Sequence, residues 1–267
     1  MKTSNSVRAL VTGASGAIGK AISLGLARAG FEIILVCRNK ARGSQFTSEI
    51  KNSIPEARVS LELCDLSSPK SIFEMAERWP GKLGILVNNA AQCPRAREVT
   101  SEGYERQFAT NILAYAAMSE AFENSLVEGS RIINVASYWA GGLDLTDLQF
   151  QKRRYNNDSA YRQSKQENRM LTSAYAKHFA QRGVRVFSCH PGDVPSRLSG
   201  DLGFGGHESP EEGARTPLHL CLEPLDKLPP TGYFEHGREV RDPFIQHLES
   251  VNQLFEFCRS LLFRKNQ

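Results

Sequence analysis

Short apolar runs alternate with helix-like segments along the first 190 residues of this 267-residue chain. Each run has the length and continuous apolar character of a buried parallel strand. This alternation predicts an α/β fold of the Rossmann type, a doubly wound parallel sheet with right-handed crossovers and helices on both faces. With one further run near the C-terminus, about seven strands are predicted, at residues 7–11, 31–37, 58–64, 83–87, 131–136, 184–189 and 231–235.

Helices are predicted between and after these strands from apolar periodicity and from end signals. Ser209 followed by Pro210 is typical of a helix start. A glycine-rich stretch at residues 196–206 is predicted to be a mobile lid. The helical patterns cover residues 20–29, 41–53, a segment from 67 or 68, 101 or 102 to 126, 158–182, a segment from 210, and 243–263.

Composition excludes several classes of function. The net charge is +4, and no basic block is long enough to form a nucleic-acid-binding tail. The six cysteines show neither metal-ligand spacing nor a compact disulfide pattern, which predicts reduced thiols and no metal site. There is no signal sequence and no apolar run of about 18 residues, so the chain is expected to be soluble and cytoplasmic.

A glycine-rich turn joins the first predicted strand to the first helix. Its sequence is Thr12-Gly13-Ala14-Ser15-Gly16-Ala17-Ile18-Gly19. Glycines allow a tight turn and a close backbone approach, and the helix N-terminus offers free N–H groups to a pyrophosphate. The order of strand, turn and helix favours a dinucleotide site over an ordinary βα turn.

The end of the second strand indicates which dinucleotide is bound. Sites that prefer NAD carry an acidic residue there, which binds the ribose 2′-hydroxyl. Here the sequence Cys37-Arg38-Asn39-Lys40 has no carboxylate. The Arg38 guanidinium can pair with a 2′-phosphate, which favours NADP(H) over NAD(H). A surface arginine at a strand end is the alternative interpretation.

A tyrosine and a lysine lie four residues apart in the predicted helix 158–182. Residues i and i+4 share a helix face, so the Tyr161 phenol and the Lys165 ammonium can reach one site. A nearby cation lowers the pKa of a phenol, and such a phenol can exchange a proton with an alcohol. A solvated helix face is the alternative. The site is favoured because strand-end residues converge on one sheet edge, namely Gly13, Arg38, Asp65, Asn88, Ser137 and Pro191.

Together these motifs resemble the short-chain dehydrogenase/reductase family from about residue 7 to residue 195. The resemblance implies one NAD(P)-binding domain over residues 1–267, with residues 138–157 and 193–267 covering the substrate. It implies an oxidoreductase that transfers hydride between NADP(H) and a carbonyl or alcohol. The matching pieces are Thr12-Gly13 to Gly19, Asp65, Asn88-Asn89-Ala90, Asn111, Ser137, Tyr161 with Lys165, and Pro191-Gly192 with Ser196.

The resemblance also implies roles for these residues. Tyr161 would be the general acid or base, and Ser137 would stabilise the substrate oxygen. Lys165 would tune Tyr161 and hold the nicotinamide ribose, while Asn111 would support a water chain. Substrate contacts would come from Ser137, Tyr138, Trp139 and Tyr161. Cofactor contacts would come from Gly13, Ser15, Gly16, Ala17, Ile18, Gly19, Arg38, Asn39, Asp65, Leu66, Asn89, Ala90, Ala91, Tyr161, Lys165, Pro191, Gly192, Val194 and Ser196.

Two features depart from the usual family pattern. Ala17 stands where glycine is usual, and its methyl group would tighten the fit against the cofactor. An insert at residues 143–157 separates Ser137 from Tyr161 by more than the usual distance. This insert, with Cys37-Arg38 and the segment 232–234, resembles the retinol dehydrogenase and WW-domain oxidoreductase subgroup. Apolar residues near the site favour a lipophilic aldehyde or ketone as substrate, among them Tyr138, Trp139, Leu143, Phe150 and Phe204.

A cofactor-binding regulator on the same fold is the alternative function. Such proteins typically lose the tyrosine or the lysine, and Tyr161 and Lys165 are both present here. The resemblance implies a homodimer or homotetramer built through the helices at residues 102–126 and 158–182. The C-terminal helix is interpreted as core or dimer packing rather than membrane contact.

Overall fold

The computed structural model describes residues 7–79 and 81–264. Its sheet contains β1 (Arg8–Thr12), β2 (Glu32–Cys37), β3 (Val59–Leu63), β4 (Leu83–Asn88), β5 (Leu126–Val135), β6 (Arg185–Cys189), β7 (Thr231–Glu235) and β8 (Arg238–Val240). The strand order is β3-β2-β1-β4-β5-β6-β7-β8. Strands β1 to β7 are parallel, and β8 is antiparallel to β7. The predicted doubly wound α/β fold is therefore confirmed.

Helices cover both faces of this sheet. They are α1 (Ala17–Arg28), α2 (Lys40–Ser53), α3 (Pro69–Glu77), α4 (Ala114–Ala121), α5 (Asn157–Phe179), α6 (Arg197–Asp201), α7 (Pro210–Leu222) and α8 (Leu248–Leu262). Apolar residues of α1, α2 and α7 pack on one face of the sheet. Those of α3, α4, α5 and α8 pack on the other. The two cores bury alternate residues of β1, β2, β4, β5 and β6, as the pleat of a sheet requires.

The carboxyl ends of β1 and β4 are held together where the strand order reverses. The Thr12 hydroxyl accepts the N–H groups of Asn89 at 2.8 Å and Ala90 at 3.1 Å. The Asn89 side-chain amide donates to the Thr12 carbonyl at 2.9 Å. In open α/β sheets, ligands bind in the crevice outside the strand ends at this reversal. We therefore expect a ligand site beside the glycine-rich turn.

The helix predicted from residue 101 to 126 is shorter than expected. The chain first makes a tight turn, in which the N–H of Thr100 donates to the carbonyl of Tyr104 at 2.8 Å. The Glu105 carboxylate then accepts the N–H groups of Gln107 at 2.9 Å and Phe108 at 2.7 Å, and so starts the helix. The first turns are wide and π-helical over Phe108–Leu113. The helical segment ends at Ala121, because residues from Leu126 onward join β5.

Strand β8 was not predicted. It is short, exposed and polar, so it lacks the apolar pattern that marks the other strands. The hairpin turn before it consists of His236 and Gly237, both with positive φ, at 48° and 72°. Two-residue hairpin loops favour this backbone conformation, and glycine at the second position is its usual signal. That signal was present in the sequence at Gly237.

The predicted C-terminal helix is divided in two. A short 3-10 turn covers Pro243–Ile245, and α8 follows after a break. Asp242 caps the turn by accepting the N–H of Phe244 at 3.0 Å. The Asp242 carboxylate also forms a buried bidentate pair with Arg169 of α5, at 3.0 and 3.1 Å. This pair fixes the chain before α8 to the long helix α5. None of the helices in the described ranges is both long and apolar enough to cross a membrane.

Helix α8 covers the apolar faces of α4 and α5. Its buried residues Val251, Leu254 and Cys258 belong to the same core as residues of those two helices. The ring of Phe255 meets Tyr175 of α5 edge to face, with centroids 5.1 Å apart. The face of α4 and α5 that α8 covers is therefore buried within the chain. These are the helices through which the family resemblance implied self-association.

We therefore expect the protein to be a monomer in solution. The apolar surface of α4 and α5 is already buried by α8, so a second copy would gain little by packing there. Light scattering coupled to size-exclusion chromatography should give a mass near 29.7 kDa over a range of concentrations. A mass of twice that value, constant on dilution, would contradict this expectation.

Candidate active site

A cleft opens at the carboxyl ends of the strands. It brings together residues from segments far apart in the chain, many of which were predicted to form one site. Parallel strands end at the same sheet edge, which explains the convergence. The predicted site residues that line the cleft are Ile18, Asn89, Ala91, Ser137, Tyr138, Trp139, Tyr161, Lys165, Pro191, Gly192, Val194 and Ser196.

Three polar side chains form the centre of this cleft. Ser137 follows β5, and its hydroxyl lies close enough to the phenol of Tyr161 to lower the pKa of that group. Lys165 lies one helical turn after Tyr161, with its Nζ 5.5 Å from the centroid of the tyrosine ring. Only 8% of the Tyr161 surface and 2% of the Lys165 surface are exposed. A buried hydroxyl pair beside a buried amine is unusual in a structural role, because polar groups are costly to bury.

Burial controls the protonation of this centre. It raises the pKa of Tyr161 above its usual value, and the hydrogen bond with Ser137 opposes that shift. It also lowers the pKa of Lys165 from 10.5 to about 7. The expected lowering of the Tyr161 pKa by Lys165 is not found. The ammonium donates instead to the carbonyl of Val135 at 2.8 Å, and burial disfavours its positive charge.

Asn111 lies beside the centre rather than in the cleft wall. It is fully buried within the π-helical turn before α4. Its side-chain amide donates to the carbonyl of Gln92 at 3.0 Å and to the Ser164 hydroxyl at 3.1 Å. Its carbonyl oxygen accepts the N–H of Gln92 at 2.8 Å. The side chain therefore fixes the loop after β4 against α5 at Ser164, the residue before Lys165.

The glycine-rich turn has the tight geometry that the sequence predicts. Gly13 has a φ of 62°, and a Cβ atom there would lie 2.9 Å from the Cα of Ala90. A Cβ atom at Gly19 would collide with the carbonyl oxygen of Gly13. Gly16 is the residue before α1, and no side chain caps that helix. Ala17 is the first residue of α1.

The residues predicted to recognise a phosphate lie at one corner beside this turn. Burial raises the pKa of the Cys37 thiol, and Ser15 of the turn opposes that shift. Arg38 follows directly and is exposed. The Asn39 side chain accepts the N–H of Arg42 at 3.0 Å and so caps α2. Asn39 therefore has a structural role in addition to the predicted cofactor contact.

The predicted adenine and ribose contacts follow β3 and β4. The Asp65 carboxylate accepts the N–H of Ser67 at 3.0 Å and its hydroxyl at 2.8 Å, which orders the chain before α3. Leu66 is buried in the core. Asn89 and Ala90 are bonded to Thr12 as described above, and both remain half-buried at the strand end. These positions are compatible with the predicted contacts, which stay predictions.

The predicted lid at residues 196–206 contains the short helix α6. Ser196 and Ser199 cap each other reciprocally at its start, at 3.1 and 2.8 Å. The Asp193 carbonyl accepts the N–H groups of His207 at 2.8 Å and Glu208 at 3.0 Å, which ties the two ends of the segment together. Phe204 meets Trp139 edge to face across the cleft, with centroids 5.5 Å apart.

The insert at residues 143–157 is built around Asp147. Burial alone would raise the pKa of the Asp147 carboxyl, but hydrogen bonds from the N–H groups of residues 151–153 hold it at about 2. The Arg153 side chain adds a hydrogen bond to Asp147 at 3.2 Å and another to Gln163 of α5 at 2.8 Å. The insert is thus attached to the helix that carries Tyr161.

Several residues that line the cleft were not assigned a role from the sequence. For His190 a signal was available in the sequence. The alternation along β6 places Val186, Ser188 and residue 190 on the face of the sheet towards α5. The unassigned lining residues are Val135, Ala136, His190, Asp193, Leu198 and Ser199.

Comparisons with known proteins agree with this geometry. A family model described as short chain dehydrogenase matches residues 7–203. Mouse retinol dehydrogenase 12 is 34% identical over 238 residues, which span 82% of this chain and 74% of the relative. An uncharacterized Mycobacterium paratuberculosis protein of known structure is 25% identical, with a TM-score of 0.80 over 96% of this chain and 93% of its own. A Burkholderia cenocepacia short chain dehydrogenase, solved in complex with NADP, has a TM-score of 0.68 at 23% identity, over 86% of this chain and 97% of its own.

The family model covers the glycine-rich turn, the residues at the cleft centre and most of the cleft wall. The match to mouse retinol dehydrogenase 12 extends over more than four-fifths of the chain. The protein therefore belongs to the short-chain dehydrogenase family of oxidoreductases, within its retinol dehydrogenase-like subgroup.

Proposed function

We propose that the protein is an NADP(H)-dependent oxidoreductase that interconverts a lipophilic aldehyde or ketone and its alcohol. The carrying observation is the buried set of Ser137, Tyr161 and Lys165 in one cleft beside the glycine-rich turn. Ser137 and Tyr161 present two neighbouring hydroxyl groups, and the Ser137 hydroxyl lowers the pKa of the Tyr161 phenol. Such a pair can bind one substrate oxygen from two sides.

The residues around the turn fit a dinucleotide. The first N–H groups of α1 have no side-chain cap, so they are available to a pyrophosphate at the positive end of the helix dipole. The conformation of Gly13 and its close contact with Ala90 allow the backbone to approach the ligand. Ile18, Asn89 and Val194, which line the cleft, would hold the nicotinamide half.

When bound, the nicotinamide supplies or accepts the hydride, and the chain's own residues handle the oxygen. The Ser137 hydroxyl would donate a hydrogen bond to the carbonyl oxygen and stabilise its developing negative charge. The Tyr161 phenol would give its proton to the same oxygen. Because burial raises the Tyr161 pKa, the phenol stays protonated at neutral pH. That is the form that reduction requires.

The apolar part of the cleft supports a lipophilic substrate. Trp139, Leu198 and Phe204 line it, and the contact between the Trp139 and Phe204 rings closes one side. Aromatic and aliphatic walls favour an apolar ligand, because displacing water from apolar surfaces lowers the free energy of the complex. The six cysteines are all free and buried, which supports action in a reducing compartment such as the cytoplasm.

The cofactor preference gives a direct test. We expect kcat/KM to be at least tenfold higher with NADPH than with NADH, because Arg38 offers a charged hydrogen bond that only a 2′-phosphate can use. Arg38→Leu should lower kcat/KM for NADPH by roughly 10- to 100-fold and leave NADH nearly unchanged. Arg28→Leu, at the exposed far end of α1, is the matched control.

Equal use of both cofactors by the wild-type protein would overturn the NADP(H) assignment. Tight NADPH binding without turnover on a broad panel of lipophilic aldehydes and ketones, retinal included, would instead point to a cofactor-sensing regulator. Cofactor binding is measured independently by the fluorescence of NADPH on titration with the protein.

A further inference from the structure

The cleft contains a polar corner that the proposed hydride transfer does not use. We define it as His190, Tyr138 and Asp193. The rings of Tyr138 and His190 meet edge to face, with centroids 4.4 Å apart. The Tyr138 hydroxyl donates to Oδ2 of Asp193 at 3.3 Å. All three residues line the same cleft as Ser137 and Tyr161, so a substrate held by that pair also lies beside the polar corner.

The position of His190 is fixed by the sheet. It directly follows β6, and its backbone N–H donates to the carbonyl of Phe234 in β7 at 2.9 Å. Alternation along β6 directs its side chain to the face of the sheet that α5 covers. Only 6% of the residue is exposed, so the imidazole is held in the cleft wall.

The imidazole of His190 has an unused hydrogen-bonding atom. Its Nδ1 is buried and has no hydrogen-bond partner among the described residues. Among the buried side-chain atoms that lack a partner in the described residues, Nδ1 of His190 is the one that belongs to a residue of the cleft lining, where a ligand contact would satisfy it. Burial lowers the pKa of His190 to about 4; Asp193 opposes this shift, while His236 and Lys165 reinforce it. At neutral pH the ring is therefore uncharged and can accept one hydrogen bond and donate another.

We propose that His190 is a substrate-contacting residue that hydrogen-bonds a second polar group of the substrate, next to the reacting oxygen. This inference rests on the proposed function, because it specifies the substrate class of the same cleft. The reacting oxygen is bound by Ser137 and Tyr161, and the polar corner lies beside them in the cleft wall. The second polar group would therefore lie on the part of the substrate that faces His190, near the reacting carbonyl.

The charges around the polar corner indicate which kind of substrate group binds to His190. Burial raises the pKa of Tyr138, and so do the nearby carboxylates of Asp193, Glu235 and Glu208. These acidic groups repel a substrate carboxylate, whereas an uncharged hydroxyl can bond to the imidazole or to Asp193. The substrate class is therefore an uncharged hydroxy-aldehyde or hydroxy-ketone whose apolar body lies against Trp139 and Phe204.

A binding measurement tests this without requiring turnover. The probes are 1-phenylethane-1,2-diol and 1-phenylethanol, which differ by one hydroxyl group. They are titrated into the protein by calorimetry in the presence of NADPH, with which neither alcohol can react. We expect the wild-type protein to bind the diol about tenfold more tightly, the factor given by one well-placed hydrogen bond.

Three variants distinguish a contact from a structural role. His190→Phe keeps a ring and removes both nitrogens, so the preference for the diol should fall to about twofold or less. His190→Asn keeps a polar atom at the position of Nδ1 and should restore most of the preference. His219→Asn, on α7 outside the cleft, should leave the preference unchanged. Should His190→Phe fail to fold, His190→Leu replaces it, and thermal unfolding identifies such a failure.

The outcomes separate this proposal from the function on which it rests. No diol preference in the wild-type protein, or an undiminished preference in His190→Phe, would overturn the role of His190. A loss in His190→Asn as large as in His190→Phe would show a structural role and overturn it too. A third outcome is that the protein prefers the diol through His190 and yet fails to oxidise NADPH with acetophenone or 2-hydroxyacetophenone. That result would contradict the proposed reaction and support the contact between His190 and the ligand.

Discussion

Replacement of Tyr161 by phenylalanine is expected to lower kcat/KM for carbonyl reduction by a factor of about 10² to 10⁴. This is the usual contribution of a positioned general acid, and within the described cleft the Tyr161 phenol lies beside the Ser137 hydroxyl. The ring itself remains, so the buried apolar contacts of α5 are kept. Stopped-flow or steady-state oxidation of NADPH measures the effect, with lipophilic aldehydes as substrates.

Cofactor binding should survive the same substitution. The pyrophosphate would be held by the glycine-rich turn and α1, which do not involve the phenol. The dissociation constant of NADPH in Tyr161→Phe should therefore stay within a few-fold of the wild-type value. Tyr104→Phe is the matched control, because Tyr104 lies in the turn before α4 and outside the cleft lining. Full turnover in Tyr161→Phe would show that another group supplies the proton.

The central part of the fold was predictable because its signals are local. Each parallel strand is buried on both faces, so it appears in the sequence as a continuous apolar run. Each strand must be followed by a crossover on one side of the sheet, so motifs at strand ends converge without knowledge of the packing. Gly13, Ser137 and Pro191 were placed near one another by this topology alone.

The elements that were not predicted depend on contacts between distant residues. Strand β8 is exposed and polar, and it exists because β7 offers an unpaired edge. Helix α8 has an apolar stripe that would suit either a second copy or the chain's own helices. Its packing on α4 and α5 is decided in three dimensions by contacts such as Phe255 with Tyr175.

The electrostatics of the site were also beyond the reach of sequence spacing. The interval from Tyr161 to Lys165 correctly predicts a shared helix face. It does not reveal how deeply both groups are buried, and burial shifts the two pKa values in opposite directions. The unused nitrogen of His190 likewise depends on the arrangement of neighbouring rings. Protonation in this cleft is therefore a property of the assembled fold.

The burial of Lys165 leads to the second prediction, a large change in stability when this residue is replaced. The pKa of the Lys165 amine falls from 10.5 to about 7 in the folded protein. This shift means that the charged amine destabilises the folded state by roughly 4 to 5 kcal/mol. Methionine has a similar length and no charge, and it fits irregular apolar sites. We expect Lys165→Met to raise the free energy of unfolding by about 2 kcal/mol at pH 6 to 7, after the loss of the Val135 hydrogen bond.

The same substitution should nearly abolish turnover. Lys165 lines the cleft beside Tyr161 and is expected to hold the nicotinamide ribose, so kcat/KM should fall at least a hundredfold. A gain in stability together with a loss of activity is the pattern expected where a buried charge is kept for function. Lys177→Met is the matched control, because Lys177 is exposed on the same helix. It should change stability by no more than about 0.5 kcal/mol.

The stability gain of Lys165→Met should depend on pH with a definite sign. In the wild-type protein the folded amine has the lower pKa, about 7 against 10.5, so the unfolded chain binds more protons between these values. Wild-type stability from this group therefore rises with pH across that window. The advantage of the methionine variant is largest below pH 7 and falls steadily towards pH 10. Urea unfolding at pH 6, 8 and 10 measures it. A variant less stable than wild type at pH 6 would mean that Lys165 is stabilised in its charged form. An advantage that does not change with pH would mean that folding leaves the pKa of Lys165 unchanged.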